Sequence, residues 1–116
     1  MKYEYHFEEM NLQSGKKILI IGVEDKIDLV SDFLMFDIQG ANPDYALKKI
    51  DKVLDSKSDF ETLSGNQCNV EIKKDFTTIT DMYSEEESSS TIETTELREF
   101  IVLWWEKVRE YYKKNN

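Results

Sequence analysis

With a single cysteine, Cys68, this 116-residue chain can close no internal disulfide and build no Cys-x-x-Cys metal knuckle. Histidine is equally scarce, His6 being the only one. A general base or a nucleophile pair needs partners within hydrogen-bond reach, and none lies near His6 in the sequence. Gly15, Gly22, Gly40 and Gly65 are too scattered to form a P-loop or a Gly-x-Gly-x-x-Gly turn. Long apolar runs are missing too. Ile18–Val23 and Phe100–Trp105 are each six residues long, against the roughly 20 that a membrane span requires. The first ten residues, MKYEYHFEEM, lack the apolar run and small-residue cleavage site of a secretory signal. A reducing cytoplasm is therefore the expected location. Positive charge is outnumbered: 15 Lys and Arg against 24 Asp and Glu give a net charge of −9. That excludes nonspecific binding to nucleic acid or anionic membrane, which needs a positive field, and suits a basic partner.

What is present supports one folded domain over residues 1–116. Aromatic and apolar content are ordinary for a globular chain, and no internal repeat is visible. Tyr3, Tyr5 and Phe7 alternate with Lys2, Glu4 and His6, the period of a half-buried strand. A turn at LQSG leads to KKILIIGV, a second strand of an N-terminal hairpin. From Asp25 the period becomes helical, with Ile27, Val30, Phe33 and Leu34 on one stripe. Continuing this helix would bring Asp37 onto the apolar stripe, so its end is expected near Phe36. Asn42 then caps a second helix with Pro43 at its first position, followed by Ala46, Leu47, Ile50, Val53 and Leu54.

Short strands follow at FETL and CNVEIKK. A two-residue turn at Lys74–Asp75 would set Val70 opposite Ile79 and Cys68 opposite Asp81, placing the apolar residues of both strands on one face. A further strand around Thr91–Glu93 puts SEEE at the tip of another hairpin. The terminal helix begins at Thr94, a possible cap, and carries Leu97, Ile101, Trp104, Val108 and Tyr111 at helical spacing. The expected class is α+β: an antiparallel sheet, made of the N-terminal hairpin plus the central strands, with helices packed on one face and a long C-terminal helix.

No catalytic, cofactor or metal motif emerges. A His6–Cys68 dyad has no local support, and the acids Asp81 and Glu85–Glu87 lack the spacing of a calcium loop. The functional signal is acid. From Phe76 to Leu97 there is no lysine or arginine, and Glu85, Glu86 and Glu87 precede three serines. One reading is a solvated loop. Another is a surface that imitates the charge of nucleic acid, with Asp75, Asp81 and Glu93 at strand ends, Tyr83 beside them, and Glu85–Glu87 at the tip. A second feature is the apolar turn Phe100–Trp105, more apolar than a surface helix needs. Burial explains most of it, and Trp105, at the margin of the stripe, is the expected interface residue. Through that turn the chain would serve instead as an oligomerising or adaptor domain, although nothing in the residues calls for a homodimer.

GNQCNVEIKKDFTTITD followed by IETTELREFIVLW resembles the small cytoplasmic immunity proteins of bacterial contact-dependent growth inhibition and related polymorphic toxin systems. The matching positions are Gly65, Cys68, Val70, Glu71 and Ile72, then Asp75, Thr80 and Asp81. Ile92, Glu93, Thr94, Leu97, Ile101 and Trp104 continue the pattern, and FLMFDIQG adds weaker support. The resemblance implies a non-enzymatic inhibitor of a toxin's C-terminal nuclease domain, often one that cleaves tRNA. It carries over no toxin-contacting residue, and SEEESSS lies outside it.

Overall fold

The computed structural model describes residues 1–84, 86 and 88–114. Strands β1 (Tyr5–Asn11) and β2 (Lys17–Val23) form an antiparallel hairpin with Phe7 opposite Ile21. Helix α1 (Asp28–Asp32) opens on a 3-10 turn, Asp25–Ile27, and continues as a π-helical segment, Phe33–Ile38. After α2 (Asp44–Leu54) come β3 (Glu61–Ser64), β4 (Cys68–Ile72), β5 (Phe76–Asp81) and β6 (Ser89–Glu93), paired in that order in one antiparallel sheet. Helix α3 (Thr94–Lys114) closes the fold. The class is α+β, as the sequence indicates. The strands divide, however: the hairpin makes its own two-stranded sheet. Its outer β2 edge meets α1, where the Ser31 hydroxyl donates to the Ile21 carbonyl at 2.6 Å.

The four-stranded sheet is covered on one face. Cys68, Val70 and Ile72 of β4 alternate with exposed Asn69 and Glu71, and Ile79 and Ile92 join the buried side. All three helices touch this sheet. The register is the one the apolar pattern dictates, Val70 opposite Ile79 and Cys68 opposite Asp81. Lys74 and Asp75 do form the two-residue turn, closed by the Lys73 amide on the Phe76 carbonyl at 3.1 Å. Neither adopts the positive φ that the favoured hairpin turns use. The turn is stabilised from outside. Thr94, buried at the start of α3, sends its amide to the Asp75 carbonyl at 3.1 Å and its hydroxyl to the Lys73 carbonyl. The Thr77 and Thr94 hydroxyls meet at 2.8 Å. Two bonds thus reach the turn itself, at ~1 kcal/mol each, and the third holds the Thr94 hydroxyl that makes one of them.

On α3, Phe100, Ile101 and Trp104 are buried, whereas Val102, Leu103 and Trp105 are half-buried. The wide apolar stripe has a structural cause. At 100° per residue, Leu97, Ile101 and Val108 sit on one flank of it and Phe100 and Tyr111 on the other. The second flank meets the hairpin: Tyr5 packs edge-on to Phe100 with ring centroids 6.0 Å apart, and Phe7 stacks on Trp104 at 6.5 Å. Trp104 also donates Nε1–H to the Gln39 carbonyl at 2.9 Å. A bidentate pair from Arg98 to Asp51, at 2.7 and 3.2 Å, ties α3 to α2.

The first helix runs past Phe36, where the sequence reading ended it. Asp37 is accommodated because its carboxylate is not orphaned. Its two oxygens accept the backbone amides of Gln67 at 2.7 Å, in the turn between β3 and β4, and of Cys68 at 3.0 Å, the first residue of β4. The π-helical turn carries the chain through Asp37 to buried Ile38. Helix α2 starts one residue later than the sequence indicates: Pro43 occupies the cap position, and the Asn42 side chain accepts the Asp44 amide at 2.9 Å from just outside the helix.

Candidate functional site: unpaired aspartates beside an apolar cleft

Two close approaches fix the local geometry. A Cβ on Gly65 would lie 2.3 Å from Asp37 Cγ, so only glycine lets the β3–β4 turn reach that carboxylate. A Cβ on Gly22 would lie 2.3 Å from the His6 ring, which covers it from the facing strand.

Asp37, Asp81, Asp28 and Asp32 gather at one end of the four-stranded sheet. Asp81 ends β5 and accepts Gln67 Nε2 and the Tyr83 amide, each at 2.9 Å. Asp28 accepts the Ser90 hydroxyl at 3.0 Å. Burial, followed by the charges of Asp28, Asp81 and Asp37, pushes the Asp32 carboxyl above its ordinary value. Partial burial and the Asp37 charge raise the Tyr45 phenol as well. Among the described residues, none of these four aspartates has an ion-pair partner.

The residues singled out in the sequence separate into two groups. Asp81, Tyr83 and Glu86 are at this end; Tyr83 is 71% exposed and Glu86 is exposed. Glu85 and Glu87 lie outside the described residues. Asp75 and Glu93 are at the opposite end, a β5 length away, roughly 17 Å at 3.3 Å per residue. Glu93 is engaged within the chain by Lys2 Nζ and the Tyr3 hydroxyl, which hold its carboxyl down at about 2. Trp105, half-buried on α3, lies under the Arg109 guanidinium at 5.3 Å from the ring centre. The sequence reading missed Asp28, Asp32 and Asp37. They are dispersed among apolar helix residues, so no charge run announces them.

Cys68 and His6 occupy different sheets. Burial, reinforced by Asp37, Asp32 and Asp81, pushes the Cys68 thiol up to about 12, the reverse of an activated nucleophile. Among the described residues, no three His, Cys, Asp or Glu side chains are placed to hold a metal ion. None of the described helices is long and apolar enough to cross a membrane.

Beside the aspartates, a cleft of about 630 Å³ opens between the hairpin, the segment after α1 and α3. At its edge Gln39 adopts φ 56° and ψ −137°, a conformation strained for a non-glycine residue. Its amide donates to the Leu34 carbonyl at 2.8 Å and its side chain to the Phe36 carbonyl at 2.7 Å.

The described surface thus combines a group of carboxylates without ion-pair partners and, next to them, a mainly apolar cleft. Comparison with known proteins supplies the family. The chain is 36% identical over 118 aligned positions to a Bacillus cereus protein named Immunity protein, with all of this chain and 97% of that protein covered. The chain belongs to that immunity protein family. No protein-family model and no solved structure matches it.

Proposed function

We propose that this protein neutralises a cognate bacterial toxin by covering the basic substrate cleft of its C-terminal nuclease domain, an RNase acting on tRNA, in the cytoplasm of the producing cell. The setting is contact-dependent growth inhibition or a related polymorphic toxin system. One observation carries the mechanism: Asp28, Asp32, Asp37 and Asp81 converge without a compensating cation among the described residues, and burial, then the charges of the other three, raises Asp32. Leaving such charge unpaired costs stability and favours a partner that supplies lysine or arginine. A nuclease cleft that holds RNA must be basic. The family membership supports a toxin as that partner, and a tight complex would bury ~1,600 Å² in total. The adaptor alternative has less to explain, because Phe100, Ile101 and Trp104 are buried within the chain itself.

The test is co-expression with the C-terminal domain of the large protein encoded immediately upstream, followed by purification on a tag carried by that domain. We expect nanomolar binding, growth rescue and protection of tRNA from cleavage. A toxic neighbour that is neither bound nor neutralised would overturn the proposal. Binding with rescue but with tRNA intact in unprotected cells would retain the immunity role and change the substrate.

A further inference from the structure

The apolar cleft has a patterning that the fold does not require. On β2, Leu19 and Ile21 face inward and are buried. A hairpin with one packed face should be polar on the other. Instead the outward positions carry Ile18 and Ile20, and Met10 lies opposite Ile18. Met35 and Phe36 form the facing wall, with Val108 of α3 at the back. Met10 is 45% exposed and Phe36 47% exposed, costly positions for large apolar groups that none of the described residues covers fully. The volume falls within the range of clefts that enclose a ligand group.

Carboxylates stand next to this cleft without lining it. Asp32 lies one helical turn before Phe36, on the same side of the helix. Asp37 follows Phe36 directly, and the Phe36 carbonyl accepts Asn66 Nδ2 at 3.3 Å, joining this wall to the β3–β4 turn. Across the hairpin, Glu8 sits opposite Ile20 on the same outward face. Lys16 is the cation in the lining. An apolar group arriving on an acidic segment would be repelled by these carboxylates, and one arriving on a basic segment would be drawn in. A second copy of this chain brings its own net charge of −9, so the field opposes self-association through the cleft.

We propose that the cleft receives a large aliphatic or aromatic side chain, flanked by lysine or arginine, from the same toxin domain whose basic surface meets the aspartates. This inference rests on the immunity reading above and names the contact by which the partner is retained. The division of labour follows from the physics: the neighbouring charges govern encounter, and an anchor in a desolvated pocket governs release.

The experiment measures association and dissociation rates with a catalytically inactivated C-terminal domain of the upstream-encoded protein. It uses the wild type, Phe36→Ala and Ile20→Ser, with thermal melts as a folding control. We expect both variants to dissociate at least tenfold faster while association stays within twofold of wild type. Phe36 is half-exposed, so Phe36→Ala carries the test if Ile20→Ser fails to fold. Wild-type binding with unchanged release from the variants overturns the anchor and leaves the immunity reading standing. Absent wild-type binding overturns both. A concentration-dependent dimer in sedimentation, abolished by Phe36→Ala, would assign the cleft to a second copy and likewise overturn the proposal.

Discussion

Asp37 and Gly65 show how much one pair of residues decides. The carboxylate satisfies two backbone amides some thirty positions away, and it can do so because residue 65 has no Cβ. Hydrogen bonds to a charged group are worth ~1.5–3 kcal/mol each, more than ordinary ones. Gly65→Ala should displace the Asp37 carboxylate and lower the unfolding free energy by about 2 kcal/mol in denaturant titrations. In an Asp37→Gly background, which removes all three of the atoms that a Cβ at residue 65 would strike, the same substitution at Gly65 should cost much less. Equal costs in both backgrounds would show that the glycine acts through something other than this contact. The sequence contained both residues without linking them. A lone aspartate on an apolar stripe looks like a helix end when the distant amides that satisfy it are invisible.

At the level of elements, the strongly periodic segments were legible and the irregular ones were not. The β4–β5 register and the core stripe of α3 follow from side-chain alternation and helical spacing, patterns that packing enforces. The π-helical continuation and the separate hairpin sheet depend on tertiary partners, Asp37 with its turn and Ser31 with β2, and local pattern does not encode those. Another junction of this kind ties the N-terminal segment to the start of α3, where Lys2 and Tyr3 grip Glu93. Hydrogen bonds from Lys2 and then Tyr3 lower the Glu93 carboxyl from 4.5 to about 2. Its folded value is therefore depressed, so its stabilising contribution is complete above about 4.5 and is lost as the pH falls toward 2. Glu93→Gln should remove that acid-side dependence: the variant is less stable at neutral pH, and the difference narrows through this window. Melting curves from pH 7 down to 2 would reveal it, and a constant difference across the range would remove Glu93 as the titrating group. Asp32 works in the opposite sense, since its raised value means that protonation relieves the fold.

For the whole molecule, the net charge of −9 matters less than where it is left uncompensated. The acid from Phe76 to Leu97 signals a basic partner in the sequence, but the strand topology sends its members to opposite ends of the sheet. Asp81 and Glu86 join the helical aspartates, while Glu93 is neutralised locally and Asp75 stands in the far turn. Half of the candidate surface was thus readable from composition, and the half supplied by Asp28, Asp32 and Asp37 required the fold. The two ends give different kinetic expectations. Charges that face the partner accelerate encounter, and salt screens them over a Debye length of ~8 Å at physiological ionic strength. Asp32→Asn combined with Glu86→Gln should therefore slow association with the toxin domain severalfold at low salt and flatten its salt dependence, with wild-type and variant rates converging at high salt. Asp75→Asn, ~20 Å from Asp81 along the strand direction, should leave the rate near that of wild type. If stopped-flow traces show the reverse order, the partner docks on the turn that Thr94 anchors, and the four aspartates are a source of repulsion that the fold merely tolerates.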